Sequence, residues 1–382
     1  VLVTGRDRLL WRPPGDPVAR LLRRGVLVTD GDEHAALRRL LGPPLHKARI
    51  PGYAPQVVHW TDQVTSRWKA RGPLDMLDEM RRVALLILTG TLFDADLTPD
   101  LDRLWPAILR VLRYISPGAW MVWRGAPQPG IAAARRTLDR WLYGIILERR
   151  VTQDPHAPAG DLLTGLVRSG LPDARIRDQL LTMLIAGHDT STALLAWALY
   201  LLGRHPEAQA QARAEVDAVV GANAPGASHL DGLPDLGRVI DETLRLYPPI
   251  HLGQRVAAVD LAFGNYAIPA GTRVLYSIFL THRHPAFWPD PDAFDPDRFL
   301  PERRREQAPY AYLPFGGGPR NCLGMAFAQA EAKLVLARLL QGWTFTLEPG
   351  RVSLHMGATL EPRMGRGAGV LMRVQPRTGS PA

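Results

Sequence analysis

The sequence predicts one mostly α-helical domain with a minor β part. Over the first two thirds of its 382 residues, apolar side chains recur at helical spacing. Beyond Pro249 the texture changes to short alternating runs broken by Gly and Pro. No internal repeat and no clear linker divides the chain. Residues 1–375 therefore read as one domain, and "PRTGSPA" (376–382) as a disordered tail.

In chain order, "DEHAALRRLLG" (32–42), "APQVVHWTDQVTSRWKA" (54–70), "LDMLDEMRRVALLILTG" (74–90) and "IAAARRTLDRWLYGIILERR" (131–150) carry the helical pattern. Asp173, following Pro172, is placed to cap a helix running to about Gly203, roughly 45 Å and long enough to cross a whole domain. "DETLRLYPP" (241–249) is a helix stopped by paired prolines. "RVAAVDLAFGNYAIPAGTRVLYSIFL" (255–280) reads as short strands around a Pro-Ala-Gly turn. A Pro/Asp/Phe-rich irregular stretch (285–301) leads to the glycine loop "PFGGGPRNCLG" (314–324). A helix (322–341) and a last strand pair near 343–374 complete the reading.

A chain 46% hydrophobic can bury a substantial core. With a single cysteine it can form no intramolecular disulfide, and no charged-then-apolar leader opens it, so a soluble, cytoplasmic protein is expected. The longest apolar stretch (180–203) is interrupted by "GHDTST", which argues for a buried helix rather than a membrane span. The net charge of +9 is carried almost wholly by arginines scattered through amphipathic helices. No basic stripe or nucleic-acid motif accompanies it, so an acidic protein partner or plain solvation explains it better than nucleic acid.

Four constellations carry chemistry. Cys322 lies among Gly316, Gly317, Gly318 and Gly324, which let backbone approach something bulky, and a helix beginning near the sulfur would favour a thiolate. A nucleophile, a metal ligand and an inert thiol are all open. One Cys with only "HRH" (282–284) nearby is too little for zinc, and a large planar metal cofactor needing one axial ligand, haem, fits better. "AGHDTST" (186–192) sets small Ala186 and Gly187 beside polar Asp189 and Thr190 in a run that should be buried, which suggests a ligand cavity with an acid–alcohol pair for proton delivery. Glu242 and Arg245 share a helical face. Arg298, in the proline-fixed turn "FDPDRF" (294–299), is placed to join them.

Together and in this order, the four resemble the cytochrome P-450 superfamily of haem–thiolate monooxygenases over essentially the whole length. Phe315, Gly318, Cys322 and Gly324 match its F-x-x-G-x-x-x-C-x-G loop. "AGHDT" matches its oxygen-binding helix, "ETLR" its E-x-x-R, and "PDRF" its meander, with Asp297 where Glu is commoner. The resemblance implies the P-450 fold and haem b (iron protoporphyrin IX), with Cys322 as the axial iron ligand and Phe315, Gly316, Gly318 and Gly324 shaping the loop around it. Ala186 and Gly187 would face the haem, and Asp189 and Thr190 would relay protons to O2. Glu242, Arg245 and Arg298 would form a buried structural triad, while Arg320, His34, Arg38 and Arg255 would meet the haem propionates.

By the same resemblance, electrons come from a separate ferredoxin or flavodoxin, with Arg38, Arg39, Lys47 and Arg49 as docking contacts. Substrate walls would come from Leu9, Leu10 and Trp11, segment 105–123 with Trp105, Trp120, Met121 and Trp123, Leu184 and Ile185, the Ile250–Leu252 turn, and Leu360. These are chiefly apolar, which suits hydroxylation of a large neutral carotenoid, terpenoid or fatty-acyl compound. A peroxide-driven peroxygenase and a haem carrier or sensor are the competing readings, and an intact Asp189–Thr190 pair argues against both. In the family a helix and several strands precede the segment at which this sequence begins, so roughly 60–80 further residues are expected.

Overall fold

The computed structural model describes residues 2, 5, 8–12, 15–68, 72–117, 128–154, 160–365 and 367–377. Its first helix, α1 (Pro17–Leu22), starts where the Asp16 carboxylate accepts the Val18 N–H at 2.8 Å. In α2 (Gly31–Leu45) the cap residue Asp30 makes no such bond; its carboxylate is paired with Arg320 instead. α3 (Ile50–Thr65) and α4 (Met76–Leu92) pack on each other, and Asp75 caps α4 through the Leu77 N–H. α5 (Leu101–Ile115) and α6 (Ile131–Thr152) form a second packed pair, followed by the short α7 (Leu162–Arg168).

The long helix expected after Pro172 is α8 (Asp173–Arg204), 32 residues or about 48 Å. Pro172 rather than Asp173 precedes its first turn, and Asp173 is ion-paired with Arg150. The helix runs unbroken through "GHDTST"; the Thr190 and Thr192 hydroxyls bond back to the carbonyls of Ala186 and His188, satisfying the polar run inside the helix itself. α8 packs most extensively on α4 and also meets α6. α9 (Pro206–Val219) and α10 (Pro234–Leu246) follow. Short α11 (Ile278–Thr281) and α12 (Pro301–Glu306) border the irregular stretch, and α13 (Met325–Gly342) packs against α3, α9 and α10.

The β part is four small antiparallel sheets among the described residues. β1 (Leu9–Leu10), β3 (Leu252–Ala257) and β6 (Arg273–Ser277) form one, in the order β1-β3-β6. β4 (Leu261–Phe263) pairs with β5 (Tyr266–Ile268). The expected single C-terminal strand pair is instead four strands in two sheets. β2 (Pro73–Asp75) and β7 (Trp343–Leu347) flank β10 (Leu371–Pro376), while β8 (Val352–Met356) pairs with β9 (Leu360–Met364). Pro376 closes the β10–β7 register, and Arg377 is ion-paired with Asp217, so both belong to the fold. Residues 378–382 of the expected tail lie outside the described residues, as do Trp120, Met121 and Trp123.

Candidate active site

Cys322 sits just before α13 with Gly324 at the cap position. Its loop is folded by left-handed turns at Gly316 (φ 72°) and Gly318 (φ 66°), a region where only glycine is unstrained. They bring the Phe315 carbonyl to the Cys322 N–H at 2.8 Å, so Phe315 holds the ligand loop through its backbone. The sulfur opens on a cavity between this loop and α8, with about 960 Å³ of empty space that includes its open mouth. Burial pushes the thiol above its ordinary pKa, and the Gly324 N–H and Arg38 pull it partway back. The helix start and the basic residues therefore do not by themselves make a thiolate here; a metal ion at the sulfur would.

α8 presents Met183, Ala186 and Thr190 to the cavity, one helical face at steps of three and four. Gly187 also lines it, and Leu88 of α4 occupies the space a side chain there would need: a Cβ would lie 2.3 Å from the Leu88 methyl. Small size at 187 thus admits a neighbouring helix rather than a ligand. Leu184 and Ile185 turn into the core and are absent from the lining. Leu360 is likewise core, its carbonyl accepting the Trp197 indole N–H at 2.9 Å. Ile250 and Leu252 are exposed and set apart from the cavity, and Leu9 and Leu10 pair with β3.

The expected acid–alcohol pair is not a pair in space. Asp189 is buried away from the cavity, where it accepts the Thr359 hydroxyl at 2.7 Å and lies 3.7 Å from Arg81. Burial raises its pKa against the pull of Arg81, which is also bonded to Glu361. Asp189 is turned toward Arg81 and Thr359, while its neighbours Thr190 and Ser191 line the cavity. The acid at the cavity is Glu331 of α13, which accepts the Ser191 hydroxyl at 2.7 Å; both line the space beside Thr190. Burial pushes Glu331 up to about 8, so it holds a proton at neutral pH. The pattern reading missed it, although an acid four residues from both Phe327 and Val335 stands on an apolar helix face.

At the rim, His34, Arg38 and Arg320 line the cavity together. Arg38 bonds the backbone and side-chain oxygens of Asn321 at 2.8 and 3.0 Å, and Arg320 bonds Asp30 and the Thr29 carbonyl. Burial and the two guanidiniums lower the His34 pKa to about 4. Arg255 is buried one layer behind, 3.9 Å from the centre of the Trp11 ring, and it is Trp11 that lines the cavity. Among the described residues, three guanidiniums against the carboxylate of Asp30 leave an excess of two positive charges, which complements a planar cofactor bearing two carboxylates. With the free sulfur of Cys322 in the wall, the residues fit a haem.

Behind the loop, Arg245 donates to both Glu242 oxygens at 2.6 and 2.7 Å and to the carbonyls of His282, Pro291 and Ala293, using all five of its N–H groups. Arg298 approaches Glu242 at 3.5 Å and bonds the Pro289 and Asp290 carbonyls. The three predicted members therefore meet. Of the proposed docking contacts, Arg39 and Lys47 are exposed, Arg49 bonds the Gly160 carbonyl, and Arg38 is turned inward to Asn321.

The family model for cytochrome P450 matches residues 16–359. Cyclooctatin synthase of Streptomyces melanosporofaciens is 34% identical over 92% of this chain and 79% of its own length. Cyclooctat-9-en-7-ol 5-monooxygenase of the same organism is 33% identical over 88% and 75%. Among solved structures, the retinoic-acid-bound cyanobacterial CYP120A1 superposes with a TM-score of 0.88 at 26% identity, covering 98% of this chain and 86% of that one. Among the described residues no helix is long and apolar enough to cross a membrane.

Proposed function

This chain belongs to the cytochrome P450 family of monooxygenases, and on that premise we propose that it hydroxylates a large, neutral, terpenoid-like compound. One atom of O2 enters a C–H bond of the substrate; the other leaves as water with two electrons and two protons. The observation that carries the substrate class is the wall of the cavity away from its cationic rim. Leu88, Leu92 and Met183, on the helices facing the cysteine loop, offer apolar surface, and no ionised side chain stands among them to hold a carboxylate. Two of the relatives reported above are named for cyclooctatin-type compounds.

Haem b would be held by Cys322 at the iron and by Arg38, Arg320 and His34 at its carboxylates; when bound, it supplies the thiolate-ligated iron at which O2 is activated. The chain's own contribution to proton delivery falls to Thr190 and to the Ser191–Glu331 pair, with the Glu331 carboxyl holding the proton. Asp189 acts as an anchor to Arg81 and Thr359. The electron donor is an acidic ferredoxin or flavodoxin meeting Arg39 and Lys47, and the enzyme works in the cytoplasm beside it.

Incubation of the holoenzyme with a surrogate ferredoxin system, NADPH, 18O2 and a panel of neutral cyclic diterpenes tests the reading. One labelled oxygen in a hydroxylated diterpene is expected, with fatty acids giving weaker binding spectra. Product formed with peroxide but not with NADPH would replace the monooxygenase reading by a peroxygenase. Tight binding of fatty acids alone would overturn the substrate class.

A further inference from the structure

We propose that Trp11 is a cofactor-holding residue whose indole N–H donates a hydrogen bond to a haem propionate at the cationic rim. The inference rests on the haem–thiolate reading above and adds a contact that its motifs do not contain. Trp11 lines the cavity beside His34, Arg38 and Arg320, and its ring carries two cations: Arg255 at 3.9 Å and Arg320 at 5.1 Å from the ring centre. Its indole nitrogen is sealed from solvent yet has no hydrogen-bond partner among the described residues. A buried indole N–H normally finds an acceptor, and leaving one unpaired is costly.

The missing acceptor is an anion. Among the described residues Asp30 is the carboxylate that Arg255 and Arg320 share, Arg38 has none, and each guanidinium depresses the ionisation of a neighbour in the group. A cation over the ring also polarises the N–H, making it a stronger donor to a carboxylate. A neutral hydrocarbon substrate offers no acceptor for that N–H, whereas a haem carboxylate at the rim does. Arg255, set behind the ring, then acts on the propionate through Trp11 rather than by direct contact.

The test compares the wild-type holoprotein with Trp11→Phe, which keeps an aromatic face for both arginines and removes only the donor. Haem transfer to apomyoglobin should accelerate about tenfold. The propionate deformation band in resonance Raman should shift, and the carbon monoxide band of the thiolate complex should stay in place. With iron etioporphyrin, whose side chains are alkyl groups without carboxyl oxygens, both proteins should release the cofactor at the same rate. Failure of the variant to take up haem, with the haem-free form melting at the wild-type temperature, would also support the contact. Release within twofold of wild type with an unshifted propionate band would overturn it and return Trp11 to the substrate wall. A wild-type haem complex lacking the thiolate band would overturn the haem–thiolate reading and this proposal with it.

Discussion

Two arginine clusters lie on either side of the cysteine loop, and they are built on opposite plans. Arg245 itself is fully matched, with five N–H groups and five acceptors, and it and Arg298 have Glu242 and Asp295 to balance their charge. The Arg298 Nε and the indole N–H of Trp288 beside Arg245 have no hydrogen-bond partner among the described residues. Around Arg320 the cations outnumber the acids, and Trp11 holds an unpaired donor. The first cluster is balanced in charge as polypeptide and ties α10 to the irregular stretch before the loop. The second reaches charge balance only when something anionic is added. The contrast separates residues that make the fold from residues that wait for a ligand, which identity alone cannot do, since both clusters are arginine.

The strongest way to break the comparison is to open the closed cluster. Glu242→Ala leaves fully buried Arg245 without its carboxylate and should destabilise the protein by about 3–5 kcal/mol, with or without haem. Urea unfolding of both forms measures it, and a loss below about 1 kcal/mol would mean that this cluster too is adaptable. A third case sharpens the contrast: Glu331 is a buried acid with no cation beside it. Its pKa is raised in the folded state, so the folded protein binds the extra proton between pH 4.5 and about 8 and loses stability as pH rises through that window. Glu331→Gln should remove roughly 3 kcal/mol of that loss between pH 5 and 8, read from urea midpoints at the two pH values.

The open cluster should respond in the reverse sense to the closed one. Arg38→Leu should cost the haem-free fold only about 1 kcal/mol, because two bonds to Asn321 are lost while repulsion from Arg320 is relieved. Haem retention should nevertheless fall about tenfold in the transfer assay. Equal damage to both forms would erase the distinction. The smallest effect is spectroscopic. His34 and His282 are both lowered to about 4, chiefly by burial, and each sits near arginines. Haem anions should raise His34 back toward 6.5 and leave His282 unmoved, as measured by NMR titration of the diamagnetic ferrous carbonyl form. In the haem-free protein each of these histidines adds stability above pH 6.5 that is lost as pH falls toward 4.

The sequence was most informative where chemistry is local. The loop around Cys322, the Glu242–Arg245 spacing and the existence of α8 are all set within a few residues, and each stands where the pattern put it. What could not be read was direction. Whether Asp189 or Thr190 meets the cavity depends on α4, which brings Arg81 and Leu88 to one side of α8, and no pattern within residues 186–192 contains that information. The alignment of Thr190 with Ala186 and Met183 was visible, but which helical face meets the ligand is a tertiary fact. Trp11 was hidden for a related reason: its arginines come from β3 and the cysteine loop, far along the chain. The C-terminal strands misled because the chain turns at Gly350 from β7 into a second sheet and turns again at Gly357 to pair β8 with β9 inside it.

The close approach at Gly187 has a consequence for how such an enzyme can change. A methyl group there would collide with the tip of Leu88, a flexible side chain that itself lines the cavity. The displaced tip has α4 behind it and open space ahead, so the added volume would be delivered into the cavity by a neighbour. One small step at a position on the helix backbone would thus reshape what the chamber admits without altering any side chain that touches the substrate first. Cys322 and its cationic rim would stay unchanged throughout.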